Sequence, residues 1–380
     1  MKKHIEFNNP AIIGNEIKNI QNLLIKKQYS GSGYFTKKCS DWLINNIKCK
    51  EALLVHSCTA ALEMCAILLN IKSKDEIIMP SYTFVSTANA FVARNGTPVF
   101  VDIDPKTLNI EPKQIEKAIT KRTKAIVVVH YAGISCDMQE IMKIARKNNL
   151  YVVEDAAQSI LCAYKNKPLG SMGDLATISF HDSKNIHCGE GGALLINNKK
   201  FIKRAKIIRD KGTNRDNFVK NLVRKYTWID IGSSYVLSEI HAAFLYAQLI
   251  KSKIHIKKRL KIWKIYNSLL KNLEKNNFIK RPFIPKYAKH NGHIYFIIVK
   301  KKRSKILSYL KKRNIDALFH YVPLHNSTAG KKYARSMKSL NYTNFLSKNV
   351  IRLPMHAALK RKEQIYICNK IENFFIKNVN

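Results

Sequence analysis

Between about residues 50 and 200, short apolar runs alternate with stretches of helical spacing, and few folds satisfy that alternation. Residues 52–56, 76–79, 98–102, 125–130 and 150–154 read as strands. Residues 59–69, 85–94, 112–120 and 138–147 between them read as helices. The strands have continuous apolar runs, as in Ala125-Ile126-Val127-Val128-Val129, with no polar residue at every second position. A strand of that kind is buried on both faces. The expected architecture is a mainly parallel sheet with helices on both sides. Ligands of such sheets gather at the carboxyl ends of the strands, where Ser57, Ser81, His130 and Asp155 fall.

The rest of the chain differs in texture. Residues 238–273 read as one or two long helices with lysines on the exposed side. Beyond about residue 280, strands around 293–299 and 318–321 flank a helix at 304–312, as in a smaller α+β domain. The expected division is a large ligand-binding domain over 1–245, and a long linking helix with a smaller C-terminal domain over 246–380. A formal charge of +41 invites a nucleic-acid partner, but Lys outnumbers Arg 53 to 14 and the lysines are spread along the chain. Phosphate and base recognition favours Arg. The charge therefore reads as compositional background, and no specific nucleic-acid partner is expected. The opening Met1-Lys2-Lys3-His4 leads into no apolar segment, and no run approaches the roughly 20 apolar residues of a membrane span. A cytoplasmic protein without membrane insertion is expected. Eight cysteines without a Cys-x-x-Cys pair read as free thiols, and no metal site is expected, since His320 and His325 have no cysteine nearby.

Three local patterns carry chemistry. His56-Ser57-Cys58-Thr59 joins a strand to a helix, and a helix N-terminus with small hydroxyls takes a phosphate as readily as it takes a cap. Asp155 closes an apolar strand in Val153-Glu154-Asp155-Ala156-Ala157-Gln158; a buried carboxylate there would keep a pyridine nitrogen protonated. Lys184 sits on the polar turn His181-Asp182-Ser183-Lys184-Asn185, just before Gly189-Glu190-Gly191-Gly192. A lysine so crowded by backbone is the expected Schiff-base partner of pyridoxal 5'-phosphate (PLP), and its freed amine would move a proton. Phe84, in Pro80-Ser81-Tyr82-Thr83-Phe84, is placed to stack on a planar ring.

As a set, these segments resemble the DegT/DnrJ/EryC1/StrS sugar aminotransferases, from about Ile5 to the C-terminus. The resemblance implies a PLP-dependent transferase of fold type I: a large domain with a mainly parallel seven-stranded sheet plus a smaller α+β C-terminal domain. It implies that Lys184 holds the cofactor, Asp155 pairs with the ring nitrogen, Gln158 contacts the ring hydroxyl and Phe84 covers the ring. Ser57, Cys58, Thr59 and Ser179 would surround the phosphate, and His320, Tyr321 and His325 would lie near a sugar nucleotide. The His-x-x-Lys-Asn form is similar to the branch that aminates C4 of nucleotide-linked keto sugars. Lys211-Gly212-Thr213-Asn214-Arg215, Tyr226-Thr227-Trp228 and Asp230-Ile231-Gly232-Ser233-Ser234-Tyr235 are similar to a branch acting on dTDP-4-dehydro-6-deoxyglucose. For that branch the resemblance implies glutamate as amino donor, dTDP-4-amino-4,6-dideoxygalactose as product, and a role in enterobacterial common antigen. It also implies a homodimer with shared active sites. Much of the family has Gly-Tyr-Asn-Tyr-Arg where this chain has Gly232-Ser233-Ser234-Tyr235-Val236, so Ser234 would offer a hydroxyl where the family's Asn reaches the neighbouring subunit's phosphate. The rival readings are a 3-dehydratase, whose branch has histidine in place of the lysine, a UDP-linked sugar as substrate, and a basic nucleic-acid-binding protein of the same descent with catalysis lost. The intact Asp155 and Lys184 argue against the first and last.

Overall fold

A computed structural model describes residues 4–376 of the chain. Seven strands build the large sheet: β1 Glu51–Val55, β2 Glu76–Pro80, β3 Thr97–Val101, β4 Thr123–Val129, β5 Tyr151–Asp155, β6 Leu175–Ser179 and β7 Gly192–Ile196. They lie side by side in the order β1-β7-β6-β5-β4-β2-β3. Among the seven, β7 alone runs antiparallel to its neighbours, wedged between β1 and β6. An eighth strand of two residues, Arg335–Ser336, returns from late in the chain to lie parallel to β3. It has no apolar run and gives no strand signal in the sequence.

Both faces of the sheet are covered, which is why the middles of its strands are apolar on both sides. Ile77, Met79 and Val127 enter one core; Ile78, Ile126 and Val128, their alternate neighbours, enter another. Each fully buried aliphatic side chain of this kind contributes about 1.5–3 kcal/mol. A smaller three-stranded sheet (Ile279–Lys280, Tyr295–Val299, Val350–Leu353) packs against the helices Arg303–Lys311 and Arg361–Ile376.

The helix Glu239–Leu269 is continuous for 31 residues, begun by Ser238, whose hydroxyl accepts from the His241 N–H. Its first half gives Ala242, Leu245 and Leu249 to one core of the large sheet; its second half gives Ile262, Trp263 and Tyr266 to the core of the small sheet. The boundary expected near residue 245 thus falls inside a helix shared by both parts. Residues 318–321 are not the strand expected: only Leu318 bridges Arg352, and Tyr321 turns the backbone to φ 35°. The rings of His320 and Tyr321 stack at 3.7 Å, an arrangement that alternating strand side chains cannot reach. No helix of the described residues is long and apolar enough to cross a membrane, and all eight cysteines carry free thiols.

One buried carboxylate ties the late segment to the sheet. Glu76, 1% exposed, accepts hydrogen bonds from Arg122 (2.7 Å), Arg335 (2.8 Å) and Thr120 (2.7 Å). Burial pushes its pKa up, but these hydrogen bonds and the Arg335 charge outweigh it and hold the carboxyl at about 2. A depressed folded-state pKa adds stability above the unfolded value, and that stability is lost as pH falls through the folded value. Glu76→Gln is therefore expected to cost about 3 kcal/mol at neutral pH. In thermal melts its difference from wild type should shrink as pH falls from about 4.5 toward 2; a pH-independent difference would contradict the ion-pair account.

Candidate active site

Three strand ends and two helix starts converge on one cavity of about 620 Å³. The helix Cys58–Leu68 begins directly after β1, and Val85–Val92 shortly after β2, so their free N–H groups and partial positive charge face the strand ends. The Ser57 hydroxyl accepts from the Ala60 N–H at 3.0 Å as an N-cap, and Thr59 Oγ1 meets Ser86 Oγ at 2.8 Å. Gly192 lies against this turn. A Cβ there would come within 2.5 Å of the Ser57 carbonyl carbon and the Cys58 nitrogen, so the close approach needs glycine.

Asp155 closes β5 and is 6% exposed. Its carboxylate accepts from Thr87 Oγ1 at 2.8 Å and from the Ala157 N–H at 3.2 Å. Burial nevertheless raises its pKa, against the pull of those hydrogen bonds and of Lys184. Opposite, Lys184 follows the turn after β6, its N–H donating to the His181 carbonyl. Burial lowers the pKa of its amine, opposed by Cys58 and Asp155 and assisted by Arg352. The site thus holds an amine driven toward its neutral, nucleophilic form and a carboxylate poised to gain a cationic partner.

Of the residues singled out from sequence, Lys184, Asp155, Gln158, Ser57, Cys58, Thr59, Phe84, Ser179, His320 and Tyr321 line this cavity. Two do not. His325 is held outside it by Ser81 Oγ (2.7 Å) and Asn344 Oδ1 (3.2 Å). Ser234 is exposed and bridges Asp210. Gln158 is locked at both ends: its Oε1 accepts from the Ala132 N–H at 2.7 Å and its Nε2 donates to Tyr321 Oη at 2.9 Å. His130 is spent on structure. Its Nδ1 accepts from the Cys136 N–H, which leaves the proton on Nε2 to bind Glu154 at 3.0 Å.

Several further wall residues lie outside the set expected from the sequence. Thr87 anchors Asp155 from the first turn of the helix Val85–Val92. Phe7 and Asn8 arrive from the N-terminal segment, and Arg259, His293 and Arg352 from beyond residue 250. The spacing of helical Thr87 could have been found by its position one turn after Thr83; the others are assembled only by the tertiary fold. Among the described residues no group of His, Cys, Asp or Glu is placed to hold a metal ion.

The residue set fits a phosphate-bearing pyridine aldehyde. A neutral-leaning amine, a buried carboxylate and a helix start with hydroxyls supply its three needs: attachment, ring charge and phosphate seat. Comparison with known proteins agrees. The profile of the DegT/DnrJ/EryC1/StrS aminotransferase family matches residues 10–372. An uncharacterised protein of Methanocaldococcus jannaschii is 37% identical over 379 residues, covering 97% of each chain. GDP-perosamine synthase of Escherichia coli O157:H7 is 29% identical, covering 98% of this chain and 99% of its own. The PLP-form of the protein Spr1654 from Streptococcus pneumoniae superposes with a TM-score of 0.91 at 25% identity over 100% of both chains.

Proposed function

This chain belongs to the DegT/DnrJ/EryC1/StrS aminotransferase family and takes PLP as its cofactor, and from that premise we infer that it moves the amino group of glutamate to the C4 ketone of a nucleotide-linked 6-deoxy keto sugar. The observation that supports this reading is that Lys184 and Asp155 line one cavity with the Ser57-capped start of the helix Cys58–Leu68. When bound, PLP supplies the electron sink that makes the donor's Cα proton acidic and carries the amino group between substrates. Lys184 would hold the cofactor and then move the proton. Asp155, oriented by Thr87, would keep the ring nitrogen charged. Ser57, Cys58, Thr59 and Ser179 would enclose the phosphate, with Phe84 and Gln158 about the ring. His320 and Tyr321 would meet the sugar nucleotide.

The finer substrate we propose is dTDP-4-dehydro-6-deoxyglucose, giving dTDP-4-amino-4,6-dideoxygalactose for a surface polysaccharide of the enterobacterial common antigen kind. The support is the Lys211–Arg215 and Asp230–Tyr235 sequence segments. A GDP-linked sugar is the second reading, favoured by the similarity to GDP-perosamine synthase. Exposed apolar side chains support a homodimer. Phe84 lines the cavity yet is 57% exposed, and Trp228 is 79% exposed. Surfaces of that kind are commonly covered by a partner, and a second copy would let Ser234 reach a neighbouring site. The test is incubation of the holoenzyme with glutamate and dTDP-, GDP- or UDP-linked 4-keto sugars, with product mass and NMR as readout. Amination of the dTDP sugar alone supports the reading; exclusive use of the GDP sugar transfers support to the second; no amination of any of them contradicts both.

A further inference from the structure

If this reading of the site holds, amino donor and keto sugar must meet Lys184 in turn within one cavity. They differ at the reacting carbon: the donor's Cα bears a carboxylate, and the sugar's C4 bears none. Discrimination therefore calls for a cation within reach of the lysine that only the donor engages.

Two guanidinium groups line the cavity. Arg259 is already occupied, donating to the carbonyls of Gly292 (3.2 Å), His293 (2.6 Å) and Met355 (3.0 Å). Arg352 is not. It stands on the strand Val350–Leu353, and its Nε and Nη2 both donate to one acceptor, the Phe319 carbonyl, at 3.2 and 3.0 Å. Its guanidinium lies 4.8 Å from the Phe7 ring centre. Among the described residues its Nη1 has no partner and no carboxylate pairs with it. The side chain is half-buried in the cavity wall, so an anionic ligand can reach its free edge and add charge-assisted hydrogen bonds.

No group of the surrounding wall pairs with the Arg352 charge. Burial holds His293 and His320 neutral and pushes the Tyr131 and Tyr321 phenols up, so they stay protonated. Asp155 is bound to Thr87 and Ala157, and Glu190 lies beside His181. Arg352 and Lys184 line the same cavity, and the Arg352 charge adds, as the smallest influence, to the lowering of the Lys184 pKa. We propose that Arg352 seats the α-carboxylate of the amino donor, in the fork geometry by which guanidinium groups take carboxylates, and so selects an α-amino acid without taking part in sugar binding.

The test separates the two halves of the reaction by rapid mixing of the holoenzyme, following the cofactor's visible absorbance. Arg352→Gln is expected to weaken the glutamate half-reaction about 10- to 100-fold, the worth of a charge-assisted contact. The keto-sugar half-reaction should stay at the wild-type rate, which also shows that the variant is folded. Arg352→Lys should lose less in the donor half and nothing in the sugar half, and it decides the matter if the glutamine variant does not fold. Equal losses in both halves would make Arg352 a structural residue and overturn the proposal. A loss confined to the sugar half would assign it to the sugar nucleotide's phosphates and overturn it too, as would no loss at all. A wild-type holoenzyme that no amino acid converts would instead bring down the aminotransferase reading, and this proposal with it.

Discussion

Lys184→Ala is expected to abolish turnover, a fall of about 10,000-fold. Two functions sit on one amine: it attaches the cofactor, and once displaced it moves the proton between substrate and cofactor. No other lysine lines the cavity, so no neighbour can take over either role. The amine is also tuned, because burial lowers its pKa and Arg352 lowers it further. The variant should keep its fold, since the Lys184 backbone turn is closed by its own N–H and the His181 carbonyl. Steady-state rates together with the loss of lysine-linked visible absorbance check this. An active alanine variant would remove Lys184 from the mechanism.

Asp155→Asn is expected to lower turnover about 100- to 1,000-fold, the scale on which a single preorganised electrostatic group acts. The substitution keeps shape and removes charge. Asp155 is buried at the end of β5 and held by Thr87 and Ala157. Burial raises its pKa against the pull of its hydrogen bonds and of the Lys184 charge, and a protonated ring nitrogen beside it would favour the carboxylate. Both groups therefore gain from being charged together, and the amide can offer the ring nitrogen no such partner. The measurement is kcat alongside cofactor affinity. A large drop in kcat with the cofactor still bound is the expected pattern, and unchanged kcat would contradict the role given to Asp155.

The large sheet was legible because burial on both faces leaves a plain mark: Ala125 to Val129 has no polar residue to read otherwise. The same legibility did not extend to strand direction. β7 looks like any apolar run, and only its pairing with β1 and β6 makes it antiparallel. Residues 318–321 failed for another reason. Their apolar and aromatic texture reads as a strand, but the His320–Tyr321 stack and the Gln158–Tyr321 hydrogen bond draw them into the cavity wall. Lys184, Asp155 and the Ser57 turn stood out because each sits on a strand-to-helix or strand-to-turn junction. Arg352 and His293 did not, since each is an ordinary residue of the small sheet's region until the fold brings it to the same cavity.

The central claim is that Lys184 and Asp155 together operate a bound cofactor that exchanges amino groups. The most direct measurement is the visible spectrum of the PLP-loaded protein on titration with glutamate, followed by addition of dTDP-4-dehydro-6-deoxyglucose. The account predicts that glutamate bleaches the lysine-linked band with release of 2-oxoglutarate, and that the sugar restores the band as it gains an amino group. A protein that forms no such band with PLP, or whose band no amino acid alters, would contradict it.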